Sequence, residues 1–278
     1  MRKIGLVIRE ITIPFLVFIL FIVMNLITFW FYDDSRQYEM GSQLYIIFME
    51  CVCVGILLLL YRYGFKMMVK EFFDIKAVSR KNVVCLLLFV PGYYVLMQKI
   101  TFLLCKDTLV YDNNAEILTY GQLIIYSLMA ITVAPVFEEV TMRLGMIGYA
   151  KTKLGKVYGL FLSSAIFSAI HEGNRARHMV IFLDAFLLGS ILLVSGSIIY
   201  TILFHLFINW TIFVLAIADK FISNLRGMPE GYLADGKWGV ILVNDSLFWT
   251  LIAISIFSVF LWGYWRKKLQ TMKGGLQL

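Results

Sequence analysis

Three short polar patterns interrupt otherwise apolar stretches of this 278-residue chain, and each carries residue types suited to acid–base chemistry. The first is Pro135-Val136-Phe137-Glu138-Glu139-Val140-Thr141-Met142-Arg143, the second Phe167-Ser168-Ala169-Ile170-His171, the third His205-Leu206-Phe207-Ile208-Asn209. An ionisable side chain at the centre of a membrane helix costs roughly 2.5–3.5 kcal/mol on insertion scales, so it needs a partner or a task. The groups that meet this description are expected to gather in the second half of the chain.

On a helix, Glu139 and Arg143 are i,i+4 neighbours and can form an ion pair. Glu138 projects about 100° away and does not compete for that face. Pro135 removes one ladder hydrogen bond and can kink the helix just before the carboxylates. His205 and Asn209 stand one turn apart on one face and can address a common point. Blander readings exist for each: a Glu–Arg pair at a helix end among cytoplasmic headgroups, and histidines that simply pack. Gly189, Ser190, Gly196 and Ser197 either let helices approach closely around this region or are ordinary packing residues.

The elements that position these residues follow from composition. The chain is 60% hydrophobic and 15% charged, with a mean hydropathy of +0.82. A soluble domain holds about 25% charged residues, and here the apolar excess arrives in long runs. The expectation is an all-α, polytopic membrane protein of about eight transmembrane helices, one membrane domain over residues 1–278, with an intramembrane active site. Spans are expected near Ile13–Phe31, Gln43–Tyr61, Val83–Leu104, Gln122–Tyr149, Tyr158–Ile170, Met179–Val194, Ile198–Ala218 and Leu247–Tyr264. The fifth run is short for a bilayer, which takes about 20 residues, and is expected to borrow flanking polar residues.

The net charge of +7 does not indicate a nucleic-acid partner, because the cations cluster in short loops between apolar runs. Arg2, Lys3 and Arg9, the six cations from Arg62 to Lys81, Lys151, Lys153 and Lys156, and the four after Trp265 all fall on one side if both termini are cytoplasmic, as the positive-inside bias requires. The first run reaches Trp30 and Tyr32 without a small-residue cleavage pattern and is expected to be a retained span. Residues 64–81 read either as an amphipathic helix on the inner surface or as a charged loop; about Asp219–Asp245 reads as an external loop. Cys51, Cys53, Cys85 and Cys105 lack the spacing of a zinc site or disulfide framework.

Glu-Glu-x-x-x-Arg, then Phe-x-x-x-His, then His-x-x-x-Asn, each on its own span, resembles the signature of the CAAX-protease and bacteriocin-processing family, which includes the type II CAAX prenyl endopeptidases. The resemblance covers a core of residues 120–212; elsewhere the chain is similar only in being hydrophobic. It implies an intramembrane endopeptidase in which Glu138 is the general base, acting with His171 on a water. His205 and Asn209 would donate to the oxyanion, and Glu139 with Arg143 would orient the site. A carboxylate in a low-dielectric site can accept a proton near neutral pH, and preorganised donors to developing charge are usually the largest catalytic factor. A zinc version competes, in which Glu138, His171 and His205 are metal ligands with water in the fourth position. The metal-free version is preferred, so no cofactor is firm and zinc is an alternative.

The implied partners are the lipid bilayer and a hydrophobic or membrane-inserted peptide or protein substrate, and the implied location is a bacterial cell membrane. Two other functions remain open: a bacteriocin self-immunity protein, and a non-catalytic membrane partner regulating another membrane protein. Geometry sets a condition on the shared site. At 1.5 Å per residue His205 lies ~12 Å into its span, whereas Glu138 would lie ~24 Å along a helix starting at Gln122. The membrane part of that helix is therefore expected nearer 128–149, and a Glu138 more than ~10 Å from both histidines, beyond any hydrogen-bonded reach, would sink the idea.

Overall fold

In a computed structural model, residues 12–20, 22–23, 26–27, 40–64, 78–105, 131–148, 150, 152–171, 175–225 and 245–274 are described. They are helical, with no strand among them. Residues 12–20 form a helical segment. The elements that follow are α1 (Met40–Leu59), which ends in a π turn at Leu60–Gly64, α2 (Arg80–Cys105) and α3 (Ala134–Glu139). A π-helical stretch over Val140–Gly148 continues α3, and α4 (Lys153–Ala169), α5 (Arg175–Ser195), α6 (Ile198–Leu225) and α7 (Asp245–Gly274) complete the order.

Two helical windows, Arg80–Met97 and Arg177–Ser195, are long and apolar enough to cross a membrane; shorter apolar stretches are Ile47–Leu59, Ile198–Thr211 and Trp249–Trp265. Only 22% of the Arg177–Ser195 window is buried, unlike the core helix of a soluble protein. Phe260 (72% exposed), Phe48, Leu26, Phe257 and Trp249 likewise turn large apolar side chains outward. Such a surface suits lipid, and the protein is a membrane protein.

Helix ends depart from the apolar runs in a consistent way. Helix α6 continues past Ala218 to Leu225, through the first residues of the expected external loop, and α7 runs on to Gly274. Hydropathy stops where the bilayer stops, but the backbone ladder continues wherever its hydrogen bonds can. Helix α4 begins at Lys153, ahead of its apolar run, where the Thr152 hydroxyl accepts from Gly155 N at 2.9 Å and caps the first turn. Most of the 64–81 segment, residues 226–244 of the loop, Cys105's side chain and residues 122–130 of the expected fourth span lie outside the described residues.

The chain divides into two units, one of residues 1–75 and 117–206, the other of 76–116 and 207–278. In the second, α2 packs against α7. Tyr94 and Val95 meet Leu251 and Ile252, and Ser255 Oγ donates to Phe89 O at 2.7 Å. A Cβ on Gly92 would collide with Leu251 O and Ser255 Oγ, so the close crossing depends on that glycine.

The first unit holds the first two patterns and the start of the third, His205 and Leu206. Its core joins Ile13 and Val17 to Leu57 of α1, Met142 and Met146 of the π-helical stretch, Ile166 and Phe167 of α4, and Ala185 of α5. A second cluster joins Val140, Leu144 and Ile147 to Leu160, Leu192 and Ile198. Among the small residues singled out from sequence, Gly189 allows close packing, because a Cβ there would run into the Leu160 side chain. Gly196 has another task. It adopts φ +74 in the two-residue turn between α5 and α6, where its N–H donates to Leu192 O at 2.8 Å. No atom lies within 4 Å of a Cβ built there, so replacement strains only the backbone. Gly196→Ala is expected to cost about 1–2 kcal/mol, read as a lower midpoint of thermal unfolding in detergent, with Gly196→Asn milder.

Candidate active site

Pro135 sits in the first turn of α3, directly after a π turn at 131–133. Around it the winding changes, from that π turn through six α-helical residues to the π-helical Val140–Gly148. Such irregular winding is frequent at functional sites. It begins directly after the two adjacent glutamates and runs through Arg143.

The two glutamates have different surroundings. Glu139 and Arg143 both have fully buried side chains, and Arg143 Nε lies 3.2 Å from Glu139 Oε2. The pair is ionic contact without hydrogen-bond alignment, since Glu139 Oε2 and the Arg143 nitrogens have no aligned partner. Glu138, the preceding residue, keeps 26% of its side chain exposed. One carboxylate is sealed and one is open.

His205 connects them. Its Nδ1 lies 3.1 Å from Glu139 Oε1, and its Nε2 lies 3.7 Å from Glu138 Oε2. A carboxylate only accepts, so Nδ1–H donates to Glu139 and the ring orientation is fixed, with Nε2 turned to the open side. The distance to Glu138 is well inside the limit set above for a shared site. Thr201, one turn earlier on α6, donates to Ile198 O at 2.7 Å and also lies beside Glu139.

Phe167 organises the opposite wall. Its ring centroid is 4.4 Å from that of His171, 6.0 Å edge-on from that of His205, and 5.4 Å from the Arg143 guanidinium carbon. One aromatic ring therefore spaces both imidazoles and covers the buried cation. His171 follows the end of α4, and its Nδ1 is 2.6 Å from Phe167 O. A carbonyl cannot donate, so Nδ1 carries the hydrogen, and in the neutral ring Nε2 is the acceptor. Below this ring, Ser168 Oγ donates to His178 O, and His178 Nδ1–H donates to Ser168 O at 2.7 Å. This reciprocal clasp ties the end of α4 to the first turn of α5.

Asn209 is half-buried one turn beyond His205 on α6, in the second unit. Thus Glu138, Glu139, Arg143, His205 and Phe167 with His171 gather within the first unit, and Asn209 shares only its helix with them. Thr201 and the Ser168–His178 clasp were missed from sequence. Thr201 precedes His205 by four residues and could have been found by its helical spacing; nothing in the spacing marks the clasp. The expectation that intramembrane ionisable groups belong to the second half of the chain fails at Glu50, which lies in α1 with a buried Oε2 that has no hydrogen-bond partner among the described residues.

Among the described residues, no group of three or more His, Cys, Asp or Glu side chains is arranged to hold a metal ion. His205 presents one nitrogen to each of two glutamates and His171 gives Nδ1 to a backbone carbonyl. These Nδ1 bonds leave Nε2 of each ring for a further partner, the disposition a metal-ligating histidine also uses, so Glu138, His171 and His205 suit either the zinc version or the metal-free one.

Residues 120–211 match a family model described as type II CAAX prenyl endopeptidase Rce1-like. The matched stretch contains all three patterns. No curated protein and no solved structure matches the chain.

Proposed function

We propose, from the premise that residues 120–211 are a type II CAAX prenyl endopeptidase-like segment, that the protein is an intramembrane endopeptidase of the bacterial cell membrane. Its substrates are membrane-associated or lipophilic peptides, and both of its termini are cytoplasmic. The observation that carries the reading is His205, which is held by the sealed Glu139–Arg143 pair through Nδ1 while Nε2 faces the accessible Glu138.

In this mechanism Glu138 takes a proton from water, with His171 Nε2 holding that water by its lone pair. The water oxygen adds to the peptide carbonyl carbon, and the carbonyl π electrons move to oxygen. His205, acting as an imidazolium between the two glutamates, donates Nε2–H to that oxygen, with Asn209 proposed to share the task on its i,i+4 spacing alone. Collapse of the tetrahedral intermediate breaks the C–N bond, and the proton held by Glu138 passes to the departing nitrogen. Glu139 and Arg143 touch neither reactant; they fix His205. The mechanism is metal-free, and cleavage that is lost to a chelator and restored by zinc would overturn that part.

The test is comparative peptidomics of membranes from cells making equal amounts of wild-type protein, Glu138→Gln or His171→Ala. Peptides or new termini absent from both variants establish proteolysis and identify the substrate. Indistinguishable profiles, with any phenotype intact, overturn the enzyme reading in favour of an immunity or regulatory protein that does not cleave.

A further inference from the structure

Ser168 departs from the habit of its neighbours. Ser164 donates to Leu160 O, Ser190 to Phe186 O and Thr211 to Phe207 O, each at 2.7 Å and within its own helix. That is the usual outlet for a hydroxyl in an apolar helix. Ser168 Oγ instead donates across to His178 O on α5, and His178 Nδ1–H returns a bond to Ser168 O at 2.7 Å.

The clasp falls where α4 runs out of bonds of its own. Ile170 N–H still donates to Ile166 O at 3.1 Å. His171 N–H then donates to Ser168 O at 3.4 Å, longer than the roughly 2.7–3.2 Å of an ordinary N–H···O bond. The shorter bond on that same oxygen comes from His178. A carbonyl in the last turn of a helix lacks its regular partner, and a histidine is well suited to supply one. Ser168 is buried, so little water competes for the bond. The His171 ring is held one residue earlier, with Nδ1–H donating to Phe167 O at 2.6 Å. The carbonyls of Phe167 and Ser168 are adjacent in one turn, so whatever fixes that turn fixes the direction of His171 Nε2. Farther from the site, Phe161 of α4 packs on Phe182 and Phe186 of α5 at 6.4 and 5.2 Å. Helix α5 is thereby a firm support, and the clasp secures the end of α4 to it.

We propose that His178 is a further positioning residue of this site, locking the last turn of α4 so that His171 Nε2 stays aimed at the water used by Glu138. The inference rests on the endopeptidase reading. No atom passes to or from His178, and its Nδ1–H stays on the Ser168 carbonyl throughout. Its contribution is geometric: it holds a group that must meet a water and a carboxylate at once, and such alignment sets the rate of the step more than the affinity for substrate.

The experiment uses full-length protein in liposomes and a peptide spanning a terminus that depends on Glu138. Wild type, His178→Ala, His178→Asn, His178→Gln and Thr152→Ala are compared. For each, kcat, KM, the thermal midpoint and hydrogen exchange at the Ile170 and His171 amides are measured. Expected for His178→Ala is a fall in kcat of about ten- to a hundredfold, the effect of a small misplacement of a reacting group. KM stays unchanged, and exchange within α4 quickens at those two amides while its middle is unaffected. His178→Asn, whose amide N–H lies as many bonds from Cα as Nδ1, recovers most of the rate. His178→Gln, with its donor one bond further out, does not. Thr152→Ala removes the cap at the other end of α4; it lowers the thermal midpoint and leaves kcat unchanged. Wild-type kcat in a folded His178→Ala protein overturns the proposal and leaves the endopeptidase reading standing. So does an equal loss of rate in Thr152→Ala, which ties the rate to helix stability alone. Equal rates in the Asn and Gln variants overturn it too, and that comparison decides where His178→Ala does not fold. Absence of any Glu138-dependent cleavage overturns both.

Discussion

Replacing Glu138 by Gln is expected to lower kcat by about 10²–10⁴, the usual contribution of a positioned general base, while KM and thermal stability change little. The argument rests on the difference between two adjacent glutamates. The Glu138 side chain is 26% exposed and its Oε2 stands 3.7 Å from His205 Nε2. It is partly exposed and makes no ion pair with Arg143, so an amide of the same shape leaves the packing intact and removes only the ability to take a proton. Steady-state cleavage of a peptide identified by peptidomics, with circular dichroism and thermal unfolding on the same preparation, provides the check. Wild-type turnover in a folded Glu138→Gln protein would remove this residue from the mechanism.

The second large effect belongs to the sealed pair. Arg143→Met is expected to destabilise the protein by about 3–5 kcal/mol, because it leaves the carboxylate of Glu139 buried without its cation. Both side chains are fully buried, at 3.2 Å from each other, so no water replaces the lost partner. His205 Nδ1, at 3.1 Å from Glu139, retains one contact and keeps the expected cost toward the lower end of that range. The double variant Glu139→Gln/Arg143→Met removes both charges and is expected to recover most of the stability, as isosteric replacement of buried ion pairs does elsewhere. It is not expected to recover cleavage, since His205 then loses the acceptor that orients it. Thermal unfolding of the single and double variants in the same detergent decides the stability claim. A double variant as unstable as Arg143→Met alone would mean that the pair acts through packing, including the guanidinium's place at 5.4 Å over Phe167.

Much of this was legible in the residues themselves. The all-helical class follows from apolar runs in a chain with 15% charged residues: backbone groups in lipid must be satisfied within their own segment. The Glu139–Arg143 pair follows from i,i+4 spacing, and the three patterns fall within the segment that matches a known family. Helix ends were less legible. Helix α6 runs seven residues past its apolar stretch to Leu225, since hydropathy reports solvent and not hydrogen bonding.

Spacing along one chain says nothing about which helices face each other, and the central features of the site are cross-helix ones. That His205 joins Glu138 to Glu139, that Phe167 stands between two imidazoles and a guanidinium, and that Ser168 and His178 clasp each other are facts of packing. The sequence by itself determined the membrane class, the reactive residue types and their order, because those depend on composition and on one-dimensional periodicity. Only the tertiary structure decided which carboxylate is sealed and which is open, because burial is a property of what the neighbouring helices bring to the same depth.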